Sequence, residues 1–171
     1  KFFSQIDPQW GSIIYDSANN WSSPGYQGIK DFGCALTSAA MLLNYHGFPT
    51  TPDGSSPTNP QTLNEYLKAN GGYSSKGFMI WPIVSNYTRQ AKINGNASPS
   101  AEPVDFAYKP YAKDALIADL QSGKSGMVRI ITNANDPTIS SDDDTHFVVA
   151  KGWDKDNNIY LADPLTLTDD N

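Results

Sequence analysis

The chain has 171 residues, 39% of them hydrophobic and 18% charged, a balance that suits one globular domain with a real core and excludes a disordered segment. Its net charge of −6 argues against a nucleic-acid partner, because phosphate binding needs clustered Lys and Arg. A single cysteine excludes an internal disulfide and a cysteine-rich zinc site, and no apolar run approaches a membrane span or a signal-peptide pattern. The chain opens at Lys1 without Met and closes at Asn171 just after a proline turn, so the expectation is a single domain over 1–171, excised from a longer chain.

Lys1–Ile6 has the aromatics of a short extended segment, and Asp7–Pro8–Gln9–Trp10–Gly11 reads as a turn. Residues 17–33, rich in Ser, Asn and Gly, are expected to form a long loop. A helix then opens at Cys34, with Leu36, Ala39, Ala40 and Leu43 at helical spacing and Gly47 as the stop. Residues 48–58 form a Pro/Thr/Ser connection. Asn59 as cap and Pro60 at the first helical position announce a second helix, with Leu63, Tyr66 and Leu67 on one face and Gly71–Gly72 ending it. A third starts at Pro82 and carries Ile83, Val84 and Tyr87; residues 93–103 are loop.

The second half changes character. Val104–Tyr108 reads as a strand and Ala112–Ser122 as a helix with Leu116, Ile117 and Leu120 inward. Met127–Thr132, His146–Lys151 and Asn158–Ala162 are strand-like, and the last two are joined by a hairpin over 152–157. Helices first and strands later imply an α+β fold with a mostly antiparallel sheet.

Cys34 falls in the first helical turn, where unpaired N–H groups and the helix dipole favour a thiolate. The competing reading is a small buried core residue. A thiol nucleophile needs a base, and the base needs a third group to orient it. Of the two histidines, His46 lies about three turns along the helix, roughly 18 Å from Cys34. It reads as a cation favoured by the helix C-terminus. His146 instead opens a strand, and Asp163 ends the next one, so an antiparallel hairpin makes them neighbours.

Taken in order, several short stretches resemble the C39-like family of papain-like cysteine peptidases of bacteria. They are Gln5 with Asp7–Pro8–Gln9–Trp10–Gly11, then Gly33–Cys34–Ala35–Leu36–Thr37–Ser38–Ala39–Ala40 and Gln61–Thr62–Leu63–Asn64–Glu65–Tyr66–Leu67. His146–Phe147–Val148–Val149 and Ala162–Asp163–Pro164 complete them. The specificity lies in their combination. The resemblance implies a papain-like fold, its nucleophile helix packed on a C-terminal antiparallel sheet. It implies Cys34 as nucleophile, His146 as general base and then acid, and Asp163 as orienter of the imidazole. It also implies an upstream glutamine that donates to the oxyanion together with the cysteine N–H. Gln5 matches by motif; Gln27, seven residues before Cys34, is the rival by spacing. Two departures are the long Ser17–Asp31 loop and Ala35, which stands where many relatives carry glycine.

The leading expectation is therefore a cysteine peptidase that cleaves a peptide bond in a peptide or protein substrate through an acyl-enzyme. No cofactor or metal is required, because thiolate and imidazole supply the chemistry. The alternatives are a transpeptidase or amidase using the same thioester, and a non-catalytic peptide-binding module on this fold. By resemblance the chain is expected to be a monomeric domain of a larger, extracellular or cell-surface bacterial protein. Asp154–Asn158 begins like a calcium loop but has Ile159 where the sharp turn needs glycine, so it reads as a hairpin turn. Gly123–Lys124–Ser125 reads as a helix stop, not a phosphate loop, and Asp142–Asp144 as a solvated loop. Asn20, Asn86 and Asn96 fit the glycosylation pattern, which has meaning only in a eukaryotic secretory context, and Trp10, Trp21, Trp81 and Trp153 either line a cleft or complete the core.

Overall fold

The structure, a computed structural model, describes residues 1–131 and 145–169. Five helices precede a three-stranded sheet in the chain: α1 (Ile29–Phe32), α2 (Cys34–Tyr45), α3 (Pro60–Ala69), α4 (Trp81–Ile93) and α5 (Lys113–Gln121), then β1 (Gly126–Ile131), β2 (Thr145–Trp153) and β3 (Ile159–Ala162). The strands lie in the order β1-β2-β3 and both pairings are antiparallel, so the fold is α+β. The expected Asp142–Asp144 loop lies outside the described residues.

The centre of the molecule is α2. Its sequence predicts one apolar face, yet every residue from Leu36 to Leu43 is buried. The reason is that α2 is packed between α3 and the sheet, so both flanks are covered. The run Thr37–Ser38–Ala39–Ala40 makes this possible, because small side chains let neighbouring backbones come close. Ser38 keeps its polarity satisfied there by donating to the Phe147 carbonyl of β2 at 3.1 Å.

α3 forms as its sequence predicts. Asn59 Oδ1 accepts from the Thr62 N–H at 2.9 Å, Pro60 occupies the first turn, and Leu63 and Leu67 are fully buried. Tyr66 meets Tyr87 of α4 edge to face, with ring centroids 4.9 Å apart. The loop over 17–33 is more ordered than its composition suggests. It holds a 3-10 turn at Ala18–Asn20 and the single turn α1, whose Gly28 N–H is received by Asp31 Oδ2 at 2.8 Å.

Val104–Tyr108 is not a strand. Among the described residues it pairs with no strand, and it is held by side chains, with Phe106 tilted against Trp81 at 5.0 Å. α5 has Ile117 buried and Leu116 and Leu120 half-buried, as expected. The 154–158 turn is closed by Asp154 Oδ1, which accepts from the Asp156 and Asn158 N–H groups. Trp10 belongs to the core, 6% exposed, and its indole N–H donates to the Ser4 carbonyl at 2.7 Å.

Candidate active site

Cys34 is the first residue of α2, half-buried, with its backbone N–H lacking an acceptor within that helix. Gly33 precedes it as the cap. A Cβ at Gly33 would come within 2.4 Å of the Ile29 carbonyl oxygen, so only glycine lets α1 run directly into α2 and set Cys34 at this corner.

His146 is the second residue of β2 and is 6% exposed. Asp163 follows β3 directly. Val149 pairs with Ala162, so continuing the register sets Asp163 opposite Val148 and on the sheet face that carries His146. The result is a short contact, His146 Nε2 to Asp163 Oδ1 at 2.6 Å. An ionised carboxylate only accepts, so Nε2 carries the proton and Nδ1 is the nitrogen left for other chemistry. Asp163 is itself fixed: Oδ1 also receives the Leu165 N–H at 2.8 Å, and its carbonyl receives the Thr166 N–H and hydroxyl at 3.1 and 2.8 Å.

Cys34 acts on the same ring. Burial by itself lowers the pKa of His146, but hydrogen-bonding and charge interactions with Cys34 and Asp163 outweigh it, and the pKa is raised above the ordinary histidine value. Cys34 from α2 and Asp163 from the end of β3 therefore both act on the imidazole that β2 carries. His46, the cap residue at the far end of α2, is not among them; its Nε2 pairs with Ser125 Oγ at 2.7 Å. Burial pushes its pKa down, against the cation that the helix C-terminus favours.

Gln5 is 3% exposed, and it links both sides of this corner. Its Nε2 donates to the Lys30 carbonyl at 2.8 Å, four residues before Cys34, and its backbone N–H donates to the Pro164 carbonyl at 2.7 Å, next to Asp163. One Nε2 hydrogen remains free of that bond, and Oε1 is buried without a partner among the described residues. Gln27 is engaged elsewhere, its Nε2 donating to the Ser22 carbonyl at 3.1 Å within its own loop.

A model of the family described as "Peptidase_C39 like family" matches residues 15–171. The chain belongs to the peptidase C39-like family. Membership points to a cysteine-peptidase-like function, and the matched residues include Gln27, Cys34, His146 and Asp163 but not Gln5. No curated protein and no solved structure matches the chain. Among the described residues there is no cluster of three or more His, Cys, Asp and Glu side chains able to hold a metal ion, and no helix long and apolar enough to cross a membrane.

Two contributors to this corner escape sequence reasoning. Ser4 donates its hydroxyl to the Pro164 carbonyl at 3.2 Å, so Ser4 and Gln5 together pin the first segment to the residue after Asp163. Tyr15 is buried and its hydroxyl donates to the Gly77 carbonyl at 2.9 Å; burial first, then the charge of Cys34, raise its pKa. No local pattern marks either residue, because both act through contacts distant in sequence.

Proposed function

We propose that this member of the C39-like family is a cysteine peptidase domain of papain-like architecture that hydrolyses a peptide bond. The observation that carries the reading is the His146 imidazole, bonded through Nε2 to Asp163 and interacting with Cys34 at the start of α2. In this reading Nδ1 of His146 takes the Cys34 proton while Sγ attacks the scissile carbonyl carbon. Asp163 holds the ring in the tautomer that leaves Nδ1 free and stabilises the imidazolium as it forms.

The carbonyl π electrons move onto oxygen in the tetrahedral intermediate. We assign the stabilising donors as the Cys34 N–H and the second Nε2 hydrogen of Gln5. The bond between Gln5 and the Lys30 carbonyl supports that assignment, as does the diversion of Gln27 into its own loop. Collapse of the intermediate breaks the C–N bond, and His146 gives its proton to the leaving amine. Water, deprotonated by His146, then attacks the thioester, releases the acid and returns the proton to sulfur. The chain of proton transfers needs nothing beyond these side chains and water. We place its substrate outside a bacterial cell by family resemblance.

The test is Cys34→Ala, assayed with a peptide mixture read by mass spectrometry. Turnover is expected to fall to background, about a millionfold for loss of a nucleophile, with the fold retained by circular dichroism. Cleavage that persists in the variant overturns the mechanism. An amine acceptor included in the wild-type assay separates hydrolysis from transfer, since a ligated product would make water the slower acceptor.

A further inference from the structure

One group of aromatic rings gathers in the segment that leads into Cys34. Phe32, two residues before the cysteine, is their hub, with ring centroids at 5.0 Å from Trp21, 5.1 Å from Tyr26 and 6.1 Å from Tyr15. Trp21 also lies flat enough on the 73–79 hairpin that a Cβ at Gly77 would sit 2.8 Å from its Cζ2. Gly77 therefore has two reasons to lack a side chain: that contact, and a φ of +75°. The hairpin is tied by the Ser74 N–H to the Phe78 carbonyl at 2.9 Å, and by the Tyr73–Met79 bridge, and Phe78 directly follows the Gly77 that Trp21 covers.

Two loops separated by some fifty residues thus supply one aromatic surface. Trp21, Tyr26 and Phe78 remain 38%, 55% and 60% exposed in it. Single exposed rings need no explanation, but Trp21 and Tyr26 on Phe32, with Phe78 next to the Gly77 that Trp21 covers, form a patch of the kind that marks a binding site. This patch is joined to the candidate nucleophile twice. Along the chain the path is Phe32–Gly33–Cys34. Across space it is Tyr15, whose hydroxyl holds the Gly77 carbonyl and which also senses the charge of Cys34.

We propose that Trp21, Tyr26 and Phe78 are specificity-determining residues that receive a large apolar side chain of the substrate, close to the scissile bond; this rests on the peptidase reading above. The chemistry selects that occupant. Rings already desolvated on one face by Phe32 and Gly77 gain most by covering their open faces with aromatic or branched aliphatic carbon, and offer an acidic side chain only a desolvation cost.

The experiment uses the whole chain and a set of internally quenched peptides that differ only in placing Phe, Leu, Ala or Asp at each position flanking one cleavable bond. The expected result is a kcat/KM for Phe and Leu peptides at least about tenfold above Ala and Asp at one position, with that ratio falling toward unity in Phe78→Ser and Tyr26→Ser. Both side chains are more than half exposed, so these variants keep the core intact. A ratio unchanged in both variants, or a wild-type preference for Ala or Asp, overturns the inference and leaves the peptidase reading standing. Calorimetric titration of Cys34→Ala with the Phe and Asp peptides provides a readout that needs no turnover; equal affinities also overturn the inference. Failure of the peptidase reading is recognised differently: no peptide in the set is cleaved, and iodoacetamide alkylation of Cys34 proceeds at the same rate with His146→Ala as with wild type.

Discussion

The two ends of α2 hold the chain's two histidines, and the comparison separates burial from partnership. At the C-terminal end His46 caps the helix, meets a neutral serine hydroxyl and is half-buried, so desolvation decides and its pKa falls. Near the N-terminal end His146, carried by β2, is buried more fully, but it faces a carboxylate and a thiol. There the partners outweigh desolvation and the pKa rises. The helix dipole, which favours a cation at the His46 end, does not win against burial there. What separates the two histidines in this fold is therefore partnership: His146 gains Cys34 and Asp163, and His46 gains neither.

The contrast can be broken most sharply by exchanging each ring for alanine. His146→Ala should remove peptidase turnover to near background, on the order of a 10⁶-fold loss, and slow iodoacetamide alkylation of Cys34. His46→Ala should leave kcat within about twofold of wild type, losing only the Ser125 bond worth roughly 1 kcal/mol. Stopped-time peptide assays and urea unfolding read the two effects. Equal loss of kcat in both variants would mean that the two ends of α2 are not chemically distinct.

Asp163→Asn sharpens the comparison at the second level. The amide can still receive the Leu165 N–H, so the corner persists, but it no longer demands a proton on His146 Nε2. We expect kcat to fall by about 10³- to 10⁴-fold, with the acidic limb of the kcat/KM profile moving to lower pH as the imidazole loses its carboxylate. An unchanged profile would show that Asp163 holds the backbone turn and does not tune the ring.

The smallest expected effect is in the pH dependence of stability, where the two rings act in opposite directions. The folded pKa of His146 is raised, so its stabilising contribution is fully present below the unfolded histidine value and is lost as pH rises through the folded one. The folded pKa of His46 is lowered, so its contribution is present above the unfolded value and is lost as pH falls through the folded one. Urea unfolding between pH 5 and 8 should therefore show His146→Gln losing stability relative to wild type mainly on the acid side. His46→Gln should gain relative to wild type on that same side. Parallel curves for both variants would refute the opposite shifts.

Much of the architecture was legible before any coordinates. Asn59–Pro60, the helical spacing from Leu36 to Leu43, and the β-branched runs at 127–131 and 146–150 each carry a local signal, because caps, helical repeats and strand propensity are properties of a few neighbouring residues. The triad candidates were legible for a related reason: one cysteine and two histidines leave few pairings, and a hairpin is local enough to predict that Asp163 meets His146.

Other features required the folded chain. Full burial of α2 depends on having α3 on one side and β2 on the other, which no single helix pattern encodes. Val104–Tyr108 has strand-like composition but pairs with no strand among the described residues, and β propensity without a pairing partner forms no strand. The pinning of Gln5 between Lys30 and Pro164, and the meeting of Trp21 with Gly77 over Phe32, join segments tens to more than a hundred residues apart. Sequence by itself determined which side chains have the chemistry and where most of the helices and strands lie, Val104–Tyr108 excepted. Tertiary packing alone decided which histidine gained charged partners and which aromatic rings stayed open to solvent, because burial and pairing are set by neighbours in space.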